Sequence, residues 1–258
     1  MSNFNIITTD SSNVLEHGLC GYKSLKRPGF PEKVNWLKER LKEGLIIKSL
    51  YSEEKGTQGM IEYVPGEYCW RPVSAKGYMF IHCLFVGFKK EHKNKGNASR
   101  LLDECENDAK AFKKSGVAIV TRKGSFMVDK DIFLKRGYNV VDNGGSDFEL
   151  LVKKYNKDEA DPKFINNEDT IKKKYANGLT IIRADQCPYT VKNVNEIKEV
   201  AISKFKIKPN VITLKSYKEA QKSPCMFGIF SIIYKGRIIS EHPISSTRFD
   251  NIMNKIHN

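Results

Sequence analysis

Two short stretches hold residue types that could do chemistry. In the first, Lys93-Asn94-Lys95-Gly96-Asn97-Ala98 lies between a β-branched and aromatic run at residues 78–88 and an amphipathic run whose Leu101, Leu102, Cys105, Ala109 and Phe112 share one face. A strand that enters a helix through a glycine-bearing loop makes an anion site. The first-turn N–H groups have no intrahelical acceptor and point outward at the positive end of the helix dipole. Gly96 lets a phosphate approach the backbone, Ala98 keeps the next turn small, and Lys93, Lys95 and Arg100 add positive charge around it. On local features alone, Gly96 is equally an ordinary turn glycine before an amphipathic helix. In the second stretch, Asp185-Gln186-Cys187-Pro188-Tyr189-Thr190 joins a strand at 179–183 to a helix at 191–205. A cysteine at a helix N-terminus has a stabilised thiolate, which makes that position reactive.

These residues need elements to hold them. Ser11-Ser12-Asn13 caps a short helix ending at Gly18, and Pro31-Glu32 opens a second with Val34, Leu37, Leu41 and Leu45 at helical spacing. Strands follow at 45–51 and 59–64, then the long strand at 78–88 and the helix after Gly96, with Gly116 as its stop. A strand at 117–121, a helix at 128–135 and strands at 138–141 and 148–152, joined at Asn143-Gly144-Gly145, complete this part. Residues 155–178 are polar, include Asp161-Pro162 and Asn166-Asn167, and read as a linker. Beyond them come the Cys187 strand and helix, a strand at 210–215, a helix at 217–221, strands at 227–234 and 237–241, and a helix at 245–256. The domains expected are therefore 1–154 and 179–258, the second a βαβαββα unit.

Composition narrows the function classes. With 258 residues, 40% hydrophobic and 29% charged, the chain can build real cores. Its 44 Lys and Arg against 30 Asp and Glu give +14, which favours anionic partners. The excess is divided evenly between 1–154 and 155–258, the basic runs are short, and neither Cys-His finger spacing nor an aromatic RNA-binding signature is present, so nucleic acid is the lesser reading. No apolar run reaches 18 residues, and residues 1–13 lack the pattern of a secretion signal, so a soluble cytoplasmic protein without membrane attachment is expected. The six cysteines form no C-x-x-C pair, which argues against a zinc ribbon or disulfide framework and for reduced thiols; no metal-ligand set stands out. Oligomeric state is not legible.

The order of two helices, antiparallel strands, a long strand, the Gly96 loop, a helix, a strand, a short helix and a closing strand pair resembles the GNAT superfamily of acyl-CoA-dependent N-acyltransferases. Residues 93–98 resemble that family's Gln/Arg-x-x-Gly-x-Gly/Ala coenzyme motif, with Lys93 at its first position. Phe133-Leu134-Lys135-Arg136-Gly137-Tyr138 resembles its Tyr-x-x-x-Gly-Phe element. The resemblance implies an α+β fold with a mixed, mostly antiparallel sheet, and acetyl-CoA as co-substrate for direct transfer to an amine of undefined identity. It also implies a pyrophosphate held by backbone from Asn94 through Lys95, Gly96, Asn97 and Ala98 to Ser99, and a pantetheine arm paired like an extra strand with Phe85, Val86 and Gly87. Such sites splay the long strand from the next one. The loop at 86–93 is about two residues longer than the family's usual spacing, and the tyrosine that often serves as acid falls on Phe133, whose phenyl ring cannot donate a proton. Tyr138, His82, Cys83 or water then takes that role, and His82 and Glu62 are the base candidates on strands near the cleft. A strand histidine is also an ordinary structural residue. The acceptor pocket is expected from residues 14–38 and 68–72.

The Cys187-Pro188-Tyr189-Thr190 segment resembles the Cys-Pro-Tyr-Cys site of glutaredoxins, and the element order after 178 resembles the thioredoxin fold. Thr190 replaces the second cysteine. Pro224 stands where that fold has a cis-proline, which would bring Ser223 and Cys225 toward Cys187 and make a Cys187–Cys225 pair conceivable. The two halves together, with Pro65-Gly66-Glu67-Tyr68, Arg71-Pro72 and Ile81-His82-Cys83, are similar to the YoaP group of bacterial acetyltransferases. The alternative is a non-catalytic coenzyme-binding or thiol-sensing protein that uses the thioredoxin-like part.

Overall fold

Strand and helix periodicities sort the chain into two larger sheets with their own helices and one two-stranded ribbon, in a computed structural model that describes residues 4–87, 95–145 and 147–257. The first unit comprises Met1–Cys69 and Val73–Phe164; the second comprises Ile165–Asn258 together with Trp70–Pro72.

The first unit contains β1 (Asn5–Thr8), α1 (Val14–His17), α2 (Phe30–Leu41), β2 (Ile46–Ser52), β3 (Gly56–Pro65), a 3-10 turn (Gly66–Tyr68) and β4 (Val73–Ser74). It continues with β5 (Met79–Val86), α3 (Asn97–Ala111), β6 (Gly116–Thr121), α4 (Asp131–Leu134), β7 (Asn139–Gly144), β8 (Phe148–Lys154) and β9 (Lys163–Phe164). Seven strands form one sheet in the order β1-β2-β3-β5-β6-β8-β7. Every neighbouring pair is antiparallel except β5 and β6, which gives the mixed α+β architecture expected.

One face of this sheet carries the core. Ile61, Tyr63, Met79, Ile81, Leu84, Val117, Ile119 and Leu151 meet Leu101, Leu102, Cys105 and Ala109 of α3, and Phe133 and Tyr138 close its end. Burying a leucine such as Leu101 stabilises the fold by roughly 1.5–3 kcal/mol, so the helical spacing of those α3 residues pins the helix to the sheet. Gly116 is not the helix stop that the sequence suggests. α3 ends at Ala111, the chain reverses at Lys113 with φ 52°, and Gly116 opens β6. β1 was not apparent in the sequence, since four residues are too few to show a period; it forms because Asn5–Thr8 pair with the edge of β2.

The second unit holds α5 (Glu168–Lys174), β10 (Leu179–Ala184), α6 (Tyr189–Ser203), β11 (Asn210–Leu214), α7 (Tyr217–Gln221), β12 (Phe230–Tyr234), β13 (Arg237–Ser240) and α8 (Ser246–His257). Its sheet runs β11-β10-β12-β13, with β10 and β11 parallel and the other pairs antiparallel. The stretch 155–178 contains β9, which pairs with β4, and α5. Pro224 follows a trans peptide bond, unlike the cis-proline whose place it was expected to take. Gly228 has φ 78°, and a Cβ there would stand 2.6 Å from the Trp70 carbonyl oxygen and 2.9 Å from Arg71 Cα. Gly228→Ala therefore meets both left-handed strain, about 1–2 kcal/mol, and a backbone clash. The expected result is a lowered melting temperature with faster proteolysis within 165–258; an unchanged melting curve would refute this packing.

Candidate functional site

Two irregularities coincide on β5. Its parallel ladder with β6 covers only Met79↔Val117, Phe80↔Ala118 and Ile81↔Ile119, although β5 runs on to Val86. The β6 residues beyond Ile119, Val120 and Thr121, stay with Leu150 and Glu149 of β8. The central sheet thus opens beyond Ile81. On the other side of β5, Tyr63 pairs with Ile81 and Glu62 with Cys83, so His82 is an extra residue, a bulge. A bulge re-aims the side chains around it.

The His82 side chain belongs to a buried polar group on the sheet face opposite α3. α2 brings Phe30, Lys33, Val34, Trp36 and Leu37 to one side of the helix. The Lys33 ammonium pairs with Glu62 Oε2 and sits 4.2 Å from the centre of the Trp36 ring. His82 Nδ1 lies 3.4 Å from Glu62 Oε1. Relative exposures of 0% for Lys33, 1% for Glu62 and 6% for His82 leave almost no water around them. Burial pushes the Glu62 carboxyl up, but the Lys33 charge and then the bond and charge of His82 outweigh it, holding Glu62 down at about 2. A carboxylate beside Nδ1 favours the tautomer protonated there and leaves Nε2 as the accepting nitrogen. Lys33 escaped the sequence reading. Its signal was a charged residue at an apolar position of α2, among Phe30, Val34 and Leu37.

A cleft of about 190 Å³ borders the last residues of β5 on the same unit. Its walls are the segment His17 to Lys23, the β2–β3 hairpin at Lys55, Thr57 and Gln58, and Phe85 and Gly87. Reciprocal backbone bonds between Leu19 and Tyr22, 2.8 and 2.9 Å, close a tight turn in the first wall. The Thr57 hydroxyl donates to the His17 carbonyl at 2.9 Å, and the Gly87 N–H donates to the Gln58 carbonyl, so the walls are tied together.

Phe85 and Val86 are the last residues of β5, beyond the end of its ladder with β6, and Gly87 follows them. Lys93 and Asn94 lie outside the described residues. Lys95 is exposed; Gly96 has φ 75°, and a Cβ built on it would meet nothing within 4 Å among the described residues. Asn97, Ala98 and Ser99 form the first turn of α3, whose N-cap residue is Gly96 and so brings no side chain to the cap. Its outward N–H groups and the open space above Gly96 suit an anion. Arg100 is turned elsewhere, with Nη2 donating to the Phe4 carbonyl at 2.7 Å.

Tyr138 is not brought to His82. Its hydroxyl points to Glu106 Oε1 at 3.4 Å, on α3 about 13 Å along the helix from Asn97. Arg136 and Lys153 pair with the same carboxylate at 3.1 and 2.7 Å. Burial, with Cys105 and Glu106 adding to it, pushes the phenol well above its ordinary range. A phenol so placed is a poor acid for a leaving thiolate. Phe133 packs edge-on against it at 5.3 Å in the core. In the second unit, all six cysteines being thiols, Cys187 and Cys225 are not joined. Cys225 is buried and its Sγ faces the Glu241 carbonyl at 3.7 Å, while Cys187 precedes α6 with its carbonyl accepting from Thr190 Oγ1 at 2.8 Å. Among the described residues, no helix is long and apolar enough to cross a membrane, and no group of three His, Cys, Asp or Glu side chains is placed to hold a metal.

A central strand that parts from its parallel neighbour beyond Ile81 and bulges at His82, with a helix that starts after Gly96 packed on the sheet, defines an α+β protein. A family model described as YoaP-like matches residues 210–251. The "Uncharacterized N-acetyltransferase YoaP" of Bacillus subtilis (strain 168) is 33% identical over 256 residues, which cover 97% of this chain and 98% of that protein. The chain belongs to the YoaP-like family. Among solved structures, PaiA N-acetyltransferase from Thermoplasma acidophilum in complex with coenzyme A is 17% identical, covering 59% of this chain and 99% of that one with TM-score 0.39. The GNAT family N-acetyltransferase YhbS from Escherichia coli in complex with CoA is 12% identical, covering 58% and 81% with TM-score 0.38.

Proposed function

We propose that the protein is an acyl-CoA-dependent N-acetyltransferase that moves an acetyl group from acetyl-CoA to an amine by direct transfer. The observation that carries this reading is the end of the β5–β6 ladder at Ile81, with the His82 bulge at the same point and the start of α3 at Gly96. The B. subtilis relative, named an N-acetyltransferase, supports it. Acetyl-CoA supplies a thioester whose carbonyl is open to attack by an amine. Residues 94–99, charged by Lys93 and Lys95, cradle its pyrophosphate, and the backbone around Phe85 and Val86 pairs with its arm, the Gly87 N–H being held by Gln58. His82 Nε2 takes the proton of the attacking amine, with Glu62 orienting the ring and Lys33 holding Glu62 charged. With Phe133 unable to donate and Tyr138 turned to Glu106, water protonates the departing thiolate.

The second unit reads as a thioredoxin-like module. The order β11-β10-β12-β13 with a single parallel pair and a helix following β10 supports this. The Thr190 hydroxyl bonds the Ala184 and Cys187 carbonyls, so the place of a second cysteine is given to closing the turn rather than to dithiol chemistry.

Calorimetric titration of acetyl-CoA into the full chain tests the main reading, with saturable sub-millimolar binding expected and its absence overturning it. Gly96→Ala adds a methyl to the cradle and strains a left-handed residue by about 1–2 kcal/mol. Its expected effect is about tenfold weaker acetyl-CoA binding, the equivalent of 1.4 kcal/mol. Unaltered affinity in the folded variant would remove Gly96 from the cradle.

A further inference from the structure

We infer that Trp36 is a positioning residue for the reaction: its ring takes a share of the Lys33 ammonium, which keeps Glu62 Oε1 on His82 Nδ1 and so leaves Nε2 as the accepting nitrogen. This rests on the acetyltransferase reading and adds to it a residue that acts through His82. An ammonium carries three N–H donors, and a buried one must place them. Among the described residues the Lys33 ammonium meets two acceptors, Glu62 Oε2 and the face of the Trp36 ring, whose centre is 4.2 Å away. Lys33 and Trp36 are one helical turn apart on α2, so both rise from the same face and the backbone itself sets their contact. The Trp36 ring also lies 6.5 Å from the His82 ring at 57°, and Phe80, two residues before His82 on β5, meets that ring edge-on at 5.8 Å. Both aromatic residues are buried, so little water is at hand to replace a lost partner.

The two oxygens of Glu62 are thereby divided. Oε2 serves Lys33, and Oε1 stands 3.4 Å from His82 Nδ1. A desolvated cation that loses its aromatic face turns to the nearest anion, which here is the same carboxylate. Without the ring, Lys33 draws both Glu62 oxygens and His82 Nδ1 loses its acceptor. The contact that fixes which ring nitrogen carries the proton goes with it.

The full chain is isotope-labelled at its histidine ring nitrogens, and of the five histidines His82 is assigned by the signals missing from His82→Gln. NMR spectra that correlate ring nitrogens with ring protons, recorded where the His82 ring is neutral, read the tautomer directly. The parent chain is expected to show Nδ1 protonated and Nε2 unprotonated. In Trp36→Leu this single pattern is expected to be lost, with the two nitrogens moving toward averaged shifts. Trp36→Phe keeps a ring face for the ammonium and should retain it, and acetyl-CoA affinity should match the parent in both variants. A parent with Nε2 protonated overturns the inference. So does a Trp36→Leu chain that melts lower yet keeps the parent tautomer, which would make Trp36 a packing residue only. Should Trp36→Leu not fold, the parent decides: the Lys33 methylene protons next to the ammonium are expected upfield of their ordinary position, shifted by the ring beneath them, and less so in Trp36→Phe. No upfield shift in the parent overturns the inference. Failure of the parent to bind acetyl-CoA overturns the acetyltransferase reading, and with it any part for Trp36 in a reaction, whatever the tautomer.

Discussion

His82→Gln is expected to lower kcat by about 10²–10⁴-fold, the usual contribution of a positioned proton acceptor, with acetyl-CoA still bound as tightly as before. Glutamine keeps a polar side chain near Glu62 but offers no nitrogen that accepts a proton at neutral pH. The loss should fall on the chemical step, since His82 is buried at the bulge while the residues assigned to the coenzyme lie from Phe85 onward. Glu62→Gln tests the same arrangement through its second member. It removes the charge that orients Nδ1, 3.4 Å away, so kcat should fall less than in His82→Gln and the dependence of rate on pH should shift. A His82→Gln enzyme with near-parental kcat and parental melting behaviour would exclude this histidine as the base. An equal fall in coenzyme affinity would assign it a structural part.

Lys33→Met is expected to destabilise the first unit by about 3–5 kcal/mol, because it leaves the Glu62 carboxylate buried without a compensating charge. Lys33→Met/Glu62→Gln removes both charges and should recover most of that loss. The pH dependence has a defined sign. Glu62 sits at about 2 in the folded chain against an ordinary 4.5, so the unfolded chain binds more protons between those values. Its stabilisation is fully present above about pH 4.5 and is lost as pH falls toward 2. In Lys33→Met the largest influence that lowers the carboxyl is gone, so the Glu62 carboxyl lies higher than in the parent. That variant should therefore gain stability relative to the parent as pH is lowered from neutrality. Chemical denaturation at several pH values reads both effects. A single variant as stable as the double one would show that Lys33 does not compensate Glu62.

Much of the scaffold was legible because periodicity is local. Strand β5 falls within two residues of its sequence-based bounds, helix α3 starts directly after Gly96 as expected although it ends short of Gly116, and α7 has the bounds expected, since each follows from apolar spacing within its own segment. β9 and α5 were not seen in the stretch 155–178: β9 has only two residues and gains its pairing from β4, far away in sequence. The segment Trp70–Pro72, expected on the acceptor side, clusters with the second unit, where the Ile165 N–H donates to the Pro72 carbonyl at 2.8 Å. Nothing within three residues could announce that.

The sequence by itself determined the strand, glycine turn and helix at 78–112, the two-part organisation and the family resemblance, all of which rest on neighbours along the chain. Only the tertiary structure decided which groups meet. A bulge at one residue sets which face of a strand each side chain serves, so His82 reached Glu62 and Lys33 through a register shift that no pattern of apolar residues records. The same limit explains Tyr138. Its position in a motif was readable, but the direction of its hydroxyl depended on Glu106 of α3, thirty-two residues earlier.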